Sequence, residues 1–205
     1  MKPVLRDGRW FAELPDGAIY PWDDLREMFS IPYRTGPVKP VTRPGEDPGR
    51  IRFDPLFRAV YGHEAREVER QLVPVTINGQ RLPVHARVKP AFERLSRRLG
   101  ALMVKDPSIK PYLEALGGTF NWRTVANSDR LSPHSFGVSL DINVKRSHYW
   151  EWQKEPGPPK WQNGIPQALV DAFEAEGFIW GGRWYHYDTM HFEYRPELLD
   201  PACAG

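Results

Sequence analysis

The sequence predicts an α+β domain, a small antiparallel sheet with flanking helices. Three observations point there. Short runs that alternate apolar and polar residues, at 138–144 and 190–194, read as half-buried strands. Residues 86–104 carry Val88, Phe92, Leu95, Leu99 and Leu102 at helical spacing, with Glu93, Arg94, Arg97 and Arg98 outside. Strands and helices are mixed without a regular βαβ repeat, which argues against a doubly wound sheet.

In chain order, residues 8–22 read as a hairpin, with Arg9–Leu14 and Ala18–Tyr20 as arms around Pro15-Asp16-Gly17. A short helix follows at Trp22–Phe29, with Leu25, Met28 and Phe29 on one face. Residues 31–50 hold five prolines and three glycines and read as a surface connector. The best internal boundary lies there, giving an N-terminal extension over 1–50 and a main domain over 51–205. Asp54-Pro55 opens a short helix with Asp54 as its cap, and Gly62 stops it. Leu72–Ile77 and Arg81–Ala86 flank Asn78-Gly79, the strongest hairpin signal in the chain. After the 86–104 helix comes a loop with Pro107 and Pro111, then a turn or two of helix to Leu116, stopped by Gly117-Gly118. Thr119–Val125 reads as a strand, as does Val138–Val144. Asn163-Gly164-Ile165-Pro166 opens a last helix, with Leu169, Val170 and Phe173 inward and Gly177 at its end. Phe178–Trp180 and Met190–Tyr194 complete the strands.

Composition narrows the function. The chain has 205 residues, 40% apolar and 26% charged, enough for one substantial domain or one domain with an extension. A net charge of +2 and the lack of a basic run argue against a nucleic-acid partner. No apolar run approaches the ~20 residues of a membrane span. The single cysteine, Cys203, excludes an intrachain disulfide and a thiolate metal cluster. Met1–Asp7 lacks the apolar core of a signal peptide.

Two stretches carry chemistry. Ser132-Pro-His134-Ser-Phe-Gly137-Val-Ser-Leu-Asp141-Ile-Asn143 places a histidine and an aspartate with six residues between them, and by spacing alone such a pair is a weak metal signal. Trp180–Glu193 adds Asp188, His191 and Glu193. On strands, Ser139, Asp141 and Asn143 face opposite to Val138, Leu140, Ile142 and Val144, and His191 and Glu193 face opposite to Met190, Phe192 and Tyr194. If Thr119–Val125 shares the sheet, its front adds Asn121 and Arg123. Two imidazoles and a carboxylate suit one catalytic zinc ion with a position left for water, whose pKa the metal lowers to about 7. Asp188, three residues before His191, is placed to accept a proton, and Arg123 to hold a substrate carboxylate or a developing oxyanion. His63, His85 and His148 receive no metal role; His186 is a candidate outer partner.

Ser132-x-His134-x-x-Gly137-x-x-x-Asp141 with Asp188-x-x-His191-Phe-Glu193 resembles the zinc D-alanyl-D-alanine carboxypeptidases. That family includes vancomycin-resistance D,D-carboxypeptidases and the L-alanyl-D-glutamate endopeptidases of phage lysins. Gly118–Arg123 and Gly177–Gly182 are similar too, so the resemblance covers about residues 117–194. Ser139 stands where alanine is frequent, and Met190 where proline or another residue is frequent; neither position is a ligand. The resemblance implies the fold shared with Hedgehog signalling domains. It implies His134, Asp141 and His191 as zinc ligands, and Asp188 as general base. Arg123 would bind substrate or oxyanion, and Ser132 would position the site. The implied substrate is a stem peptide of bacterial peptidoglycan, cut as a carboxypeptidase or as an endopeptidase.

Two other functions stay open: a non-catalytic zinc-stabilised module that holds cell-wall peptide or a protein, and a peptidase for free small peptides. Asp188 argues against the binding module, which needs no proton acceptor. The aromatic loop 145–163, with His148, Tyr149, Trp150, Trp152 and Trp161, is either a groove wall or packing. Trp180 and Trp184 are expected to pack around the metal. Trp10, Tyr20 and Trp22 are expected to dock the extension onto the core. A monomer acting in the cell envelope is expected from the substrate.

Overall fold

The computed structural model describes residues 1–125 and 128–201. Cys203 lies outside them. The architecture is mixed helix and small antiparallel sheets, as expected for an α+β chain. No helix among the described residues is long and apolar enough to cross a membrane.

The first sheet has the order β1-β2-β3, from Lys2–Arg6, Arg9–Glu13 and Ile19–Pro21. The hairpin expected at 8–22 is β2–β3, and β1 adds a strand at its outer edge. Helix α1, Trp22–Arg26, runs on into a 3₁₀ turn at Glu27–Phe29. Leu25 packs with Ala12 and Leu14 of this sheet. Residues 31–53 form no helix or strand. Helices α2, Asp54–Tyr61, and α3, Ala65–Glu69, follow. Asp54 is not the cap of α2: Phe53 occupies that position, without a side-chain hydrogen bond, and Asp54 is the first helical residue.

Strands β4, Leu72–Ile77, and β5, Gln80–His85, pair around the expected Asn78-Gly79 loop. Both loop residues have positive φ, 45° and 76°, the geometry that lets a two-residue turn match strand twist. Helix α4, Lys89–Lys105, lays Phe92, Leu95 and Leu99 into the core. The next stretch differs from expectation. Pro107 and Pro111 lie inside a 3₁₀ helix, Pro107–Tyr112, and the chain beyond it to Leu116 is not helical. Asp106 caps this turn by accepting from the Ser108 amide at 3.0 Å, and the amide that Pro107 lacks would be unpaired at a helix start anyway.

The third sheet carries the site. Its order is β6-β8-β7, with β6 at Ser139–Asp141, β7 at Phe178–Trp180 and β8 at His191–Tyr194 in the centre. Its apolar back rests on α5, Gln167–Glu174, where Phe173 stacks on Phe192 with centroids 3.8 Å apart. Phe92 meets Phe178 edge-on at 4.9 Å, which joins α4 to the same core. The expected strand over Val138–Val144 is thus shorter. Val138, Leu140 and Ile142 are buried, but Val144 is 39% exposed and starts a 3₁₀ turn. Asn143 ends the strand, because its side chain bonds the Lys145 amide and the Pro111 carbonyl.

Thr119–Val125 is not a strand. Gly118 and Thr124 make isolated bridges to Asp141 and Leu131. The Asn121 amide bonds to the His134 carbonyl at 3.1 Å and the Arg123 amide to Ser135 Oγ at 2.9 Å, both in the His134 turn, and the Val125 amide bonds to the Arg130 carbonyl at 2.9 Å. The polar front of the sheet therefore lacks Asn121 and Arg123.

The connector crosses the site sheet as a strap. Tyr33 donates to Glu174 and accepts from the Trp180 amide. The carbonyls of Glu46, Pro48 and Gly49 accept from the Tyr185 amide, Trp184 Nε1 and Arg195 Nη1. Asp47 takes both the amide and the ring nitrogen of His186, at 2.9 and 2.8 Å.

Candidate metal centre

His134 sits on a 3₁₀ turn, Pro133–Phe136. Ser132 starts that turn, with its Oγ accepting from the His134 amide at 3.3 Å. Gly137 ends it at φ 65°, where a Cβ would meet Leu72 at 2.9 Å and the His85 amide at 3.0 Å. Asp141 ends β6 and His191 begins β8, and the antiparallel register sets these two residues directly opposite each other. The Asp188 loop returns over Gly181, whose carbonyl accepts from the Asp188 amide at 3.0 Å. A Cβ at Gly181 would overlap the Asp188 carbonyl.

Three donor atoms converge. His134 Nε2 lies 3.1 Å from Asp141 Oδ1 and 3.2 Å from His191 Nδ1, and His191 Nδ1 lies 3.0 Å from Asp141 Oδ1. A tetrahedral zinc with nitrogen ligands at about 2.0–2.1 Å has ligand-to-ligand edges of about 3.3 Å. Each histidine's other nitrogen faces an acceptor: Thr119 carbonyl for His134 Nδ1 at 3.3 Å, Glu193 for His191 Nε2 at 3.1 Å. Those outward nitrogens carry the protons, so two imidazole lone pairs and a carboxylate point at one another. Only a cation satisfies that arrangement, and the donor set fits a divalent metal.

The electrostatics show that the surroundings favour positive charge at this point, which a proton on His191 or a bound metal ion would supply. Burial works against a charged His191, yet the hydrogen bonds to Asp141 and Glu193 outweigh it and push its pKa up to about 10. Burial likewise opposes the Asp141 charge, and the two histidines hold that carboxyl well below the usual range. Asp188 behaves in the opposite way. Burial, with the Asp141 charge adding to it and His191 opposing, pushes its carboxyl up to about 6. Its Oδ1 is buried and has no hydrogen-bond partner among the described residues. That unpaired oxygen, near its working protonation point at neutral pH, is what a proton acceptor requires.

Behind His191 lies a buried ion network. Glu193 accepts from Arg195 Nη1 at 3.1 Å and pairs with Arg52 Nη1 at 4.0 Å. Burial opposes the Glu193 charge, and His191 and the two arginines hold its pKa down to about 2. Burial lowers the Arg52 pKa to about 10. This network fixes the His191 ring and its tautomer.

The expected site residues fall into two groups. His134, Asp141 and His191 meet at one point, with the Asp188 loop beside them. Ser132 is buried as the cap of the His134 turn. Arg123 is exposed, its guanidinium donating to the neighbouring Thr124 carbonyl at 3.2 Å. His186 pairs with Asp47 rather than with a donor of the centre. In the aromatic loop, Tyr149 bridges Asp188 and Trp161 donates to the Gly182 carbonyl, whereas Trp152 is exposed. Trp180 donates to the Thr189 carbonyl, and the Trp184 ring lies 5.6 Å from that of His191.

Sequence reasoning missed Arg50, Arg52 and Arg195, and Glu193 was placed without a role. The one available signal was the alternation of two arginines, Arg50 and Arg52, at the end of the connector.

No curated protein and no solved structure matches the chain. Residues 126–194, which hold the three donors and Asp188, match the model of a family described as D-alanyl-D-alanine carboxypeptidase, and that match supports placing the chain in the carboxypeptidase-like family its two motifs resemble.

Proposed function

We propose that the chain is a zinc peptidase that hydrolyses a peptide bond in the stem peptide of bacterial peptidoglycan. The observation that carries this reading is the meeting of three lone-pair donors with the buried, unpartnered Asp188 Oδ1. The family match over 126–194 supports a peptidase. His134 Nε2, Asp141 Oδ1 and His191 Nδ1 would hold the ion. Bound there, zinc supplies Lewis acidity, polarising the scissile carbonyl and acidifying a water.

The chain's own residues do the rest. Asp188 takes a proton from the attacking water and passes it to the leaving amine. Glu193 and the Thr119 carbonyl keep the two imidazoles in the ligating tautomer. Ser132 holds the His134 turn, and Arg123, on the exposed side of that turn, contacts the peptide chain further from the cut. The protein acts as a monomer in the cell envelope, where this substrate is.

Digestion of purified peptidoglycan and of defined stem peptides, with and without a chelator and read by mass spectrometry, tests the reading. Release of D-alanine marks a carboxypeptidase, and larger fragments mark an endopeptidase. Binding without cleavage of either would replace the enzyme with a wall-binding module.

A further inference from the structure

One cation beside the reaction centre has no assigned work. Arg50 ends the strap. Its guanidinium lies over the Trp184 ring, 4.4 Å from the centroid, and its Nη2 donates to the His186 carbonyl at 3.1 Å. The Trp184 ring in turn lies against His191. The Arg50 Nε is buried without a hydrogen-bond partner, and Arg50 forms no salt bridge among the described residues. A half-buried guanidinium with no carboxylate partner is costly unless something supplies an anion to its outer nitrogens.

The strap holds Arg50 in this place. Asp47, Pro48 and Gly49 are pinned to His186, Trp184 and Arg195, so the four residues before Ile51 run along the edge of the site. Arg52, two positions on, reaches Glu193 behind the metal ligand. Both Asp188 and Tyr149 feel the charge of Arg50. Burial pushes the Tyr149 phenol up to about 12, so it stays a neutral donor on the same side. Arg123 is placed differently, exposed and with its guanidinium turned to its own neighbour's carbonyl.

We propose that Arg50 is the substrate-binding cation of this site and that it takes a free carboxylate on the leaving-group side of the scissile bond. The side follows from Asp188, which would serve the leaving nitrogen: the His186 carbonyl that Arg50 bonds lies two residues before it. A guanidinium with its plane fixed on an indole presents donors in the geometry that a carboxylate matches. The strap is therefore part of the active site, although it lies upstream of the matched residues 126–194.

This inference rests on the proposed peptidase reading, and the experiment separates the two. Metal-loaded wild-type protein, Arg50→Met, Arg50→Lys and Arg123→Met are titrated with D-Ala-D-Ala and with its C-terminal amide, followed by tryptophan fluorescence, and turnover is measured in parallel. Wild type is expected to bind the free acid about tenfold or more tighter than the amide, as for a charge-assisted hydrogen bond. Arg50→Met is expected to lose that preference while still binding the amide, Arg50→Lys to keep part of it, and Arg123→Met to keep it. Equal binding of acid and amide by wild type, a preference that survives in Arg50→Met, or one lost only in Arg123→Met would overturn the assignment. Retained Arg50-dependent binding without turnover of any stem peptide would sink the peptidase reading and leave Arg50 as the carboxylate site.

Discussion

The molecule contains two three-stranded antiparallel sheets of opposite character. In β1-β2-β3 one face is open to solvent: Leu5 and Trp10, directly paired across the strands, are 57% and 56% exposed. In β6-β8-β7 nearly every residue is buried, including His191 and Glu193. A buried polar front is stable only when each group finds a partner. Here the partners come from outside the sheet: the His134 turn in front, Arg52 from the strap, and Arg195 just past β8. The exposed sheet needs none of this, because its charged side chains at Lys2, Arg6 and Arg9 are open to solvent. The lesson is that size and topology do not make a site; enforced desolvation of groups that must stay charged does.

The comparison is broken most severely at the donors. His191→Ala or Asp141→Ala removes one of three ligands, and metal analysis after dialysis should show loss of the bound ion, with peptidase activity falling to background. Asp188→Asn should keep the metal and lower kcat by roughly 10²–10⁴-fold, the usual range for a general base. On the proposed mechanism, turnover requires ionised Asp188. The rate should fall as pH drops through about 6 or below, since a bound cation draws that carboxyl down from its value of about 6, and a pH–rate profile of both proteins checks it.

Glu193→Gln tests the network behind the ligand. Buried Arg52 loses its carboxylate and Arg195 keeps only Glu197, which should cost about 3–5 kcal/mol in chemical denaturation. Metal affinity should weaken by about 10–100-fold, because the His191 ring loses its charged orienter. The wild-type Glu193 carboxyl is held down from 4.5 to about 2. Its stabilisation is therefore complete above the higher value and lost as pH falls towards the lower one, and the variant should show a shallower loss of stability over that window. The smallest effect belongs to the other sheet. Trp10→Ala, on the open face, should change stability by no more than about 0.5 kcal/mol; a loss of several kcal/mol would show that this sheet is held as tightly as the site sheet.

Much of the site was legible from local pattern. Period-two alternation told Asp141 and His191 from their apolar neighbours, and β8 follows it, with Phe192 behind and His191 and Glu193 in front. The Asn78-Gly79 hairpin and the α4 helix were equally plain, since their signals lie within a few residues. Thr119–Val125 misled because its alternation is real while its hydrogen-bond partners lie in a turn. Alternation says which side chains share a face only if a neighbouring strand exists to define one.

By itself, then, the sequence determined the donor set, the carboxylate beside it and the family they resemble, because those groups lie in two short motifs whose internal spacing limits their geometry. Only the tertiary structure decided which nitrogen of each histidine faces the shared point, why burial raises the Asp188 carboxyl, and that Arg52 reaches Glu193 behind His191. Those features depend on burial and on contacts between segments far apart in the chain. Packing sets both, and local periodicity carries no record of it.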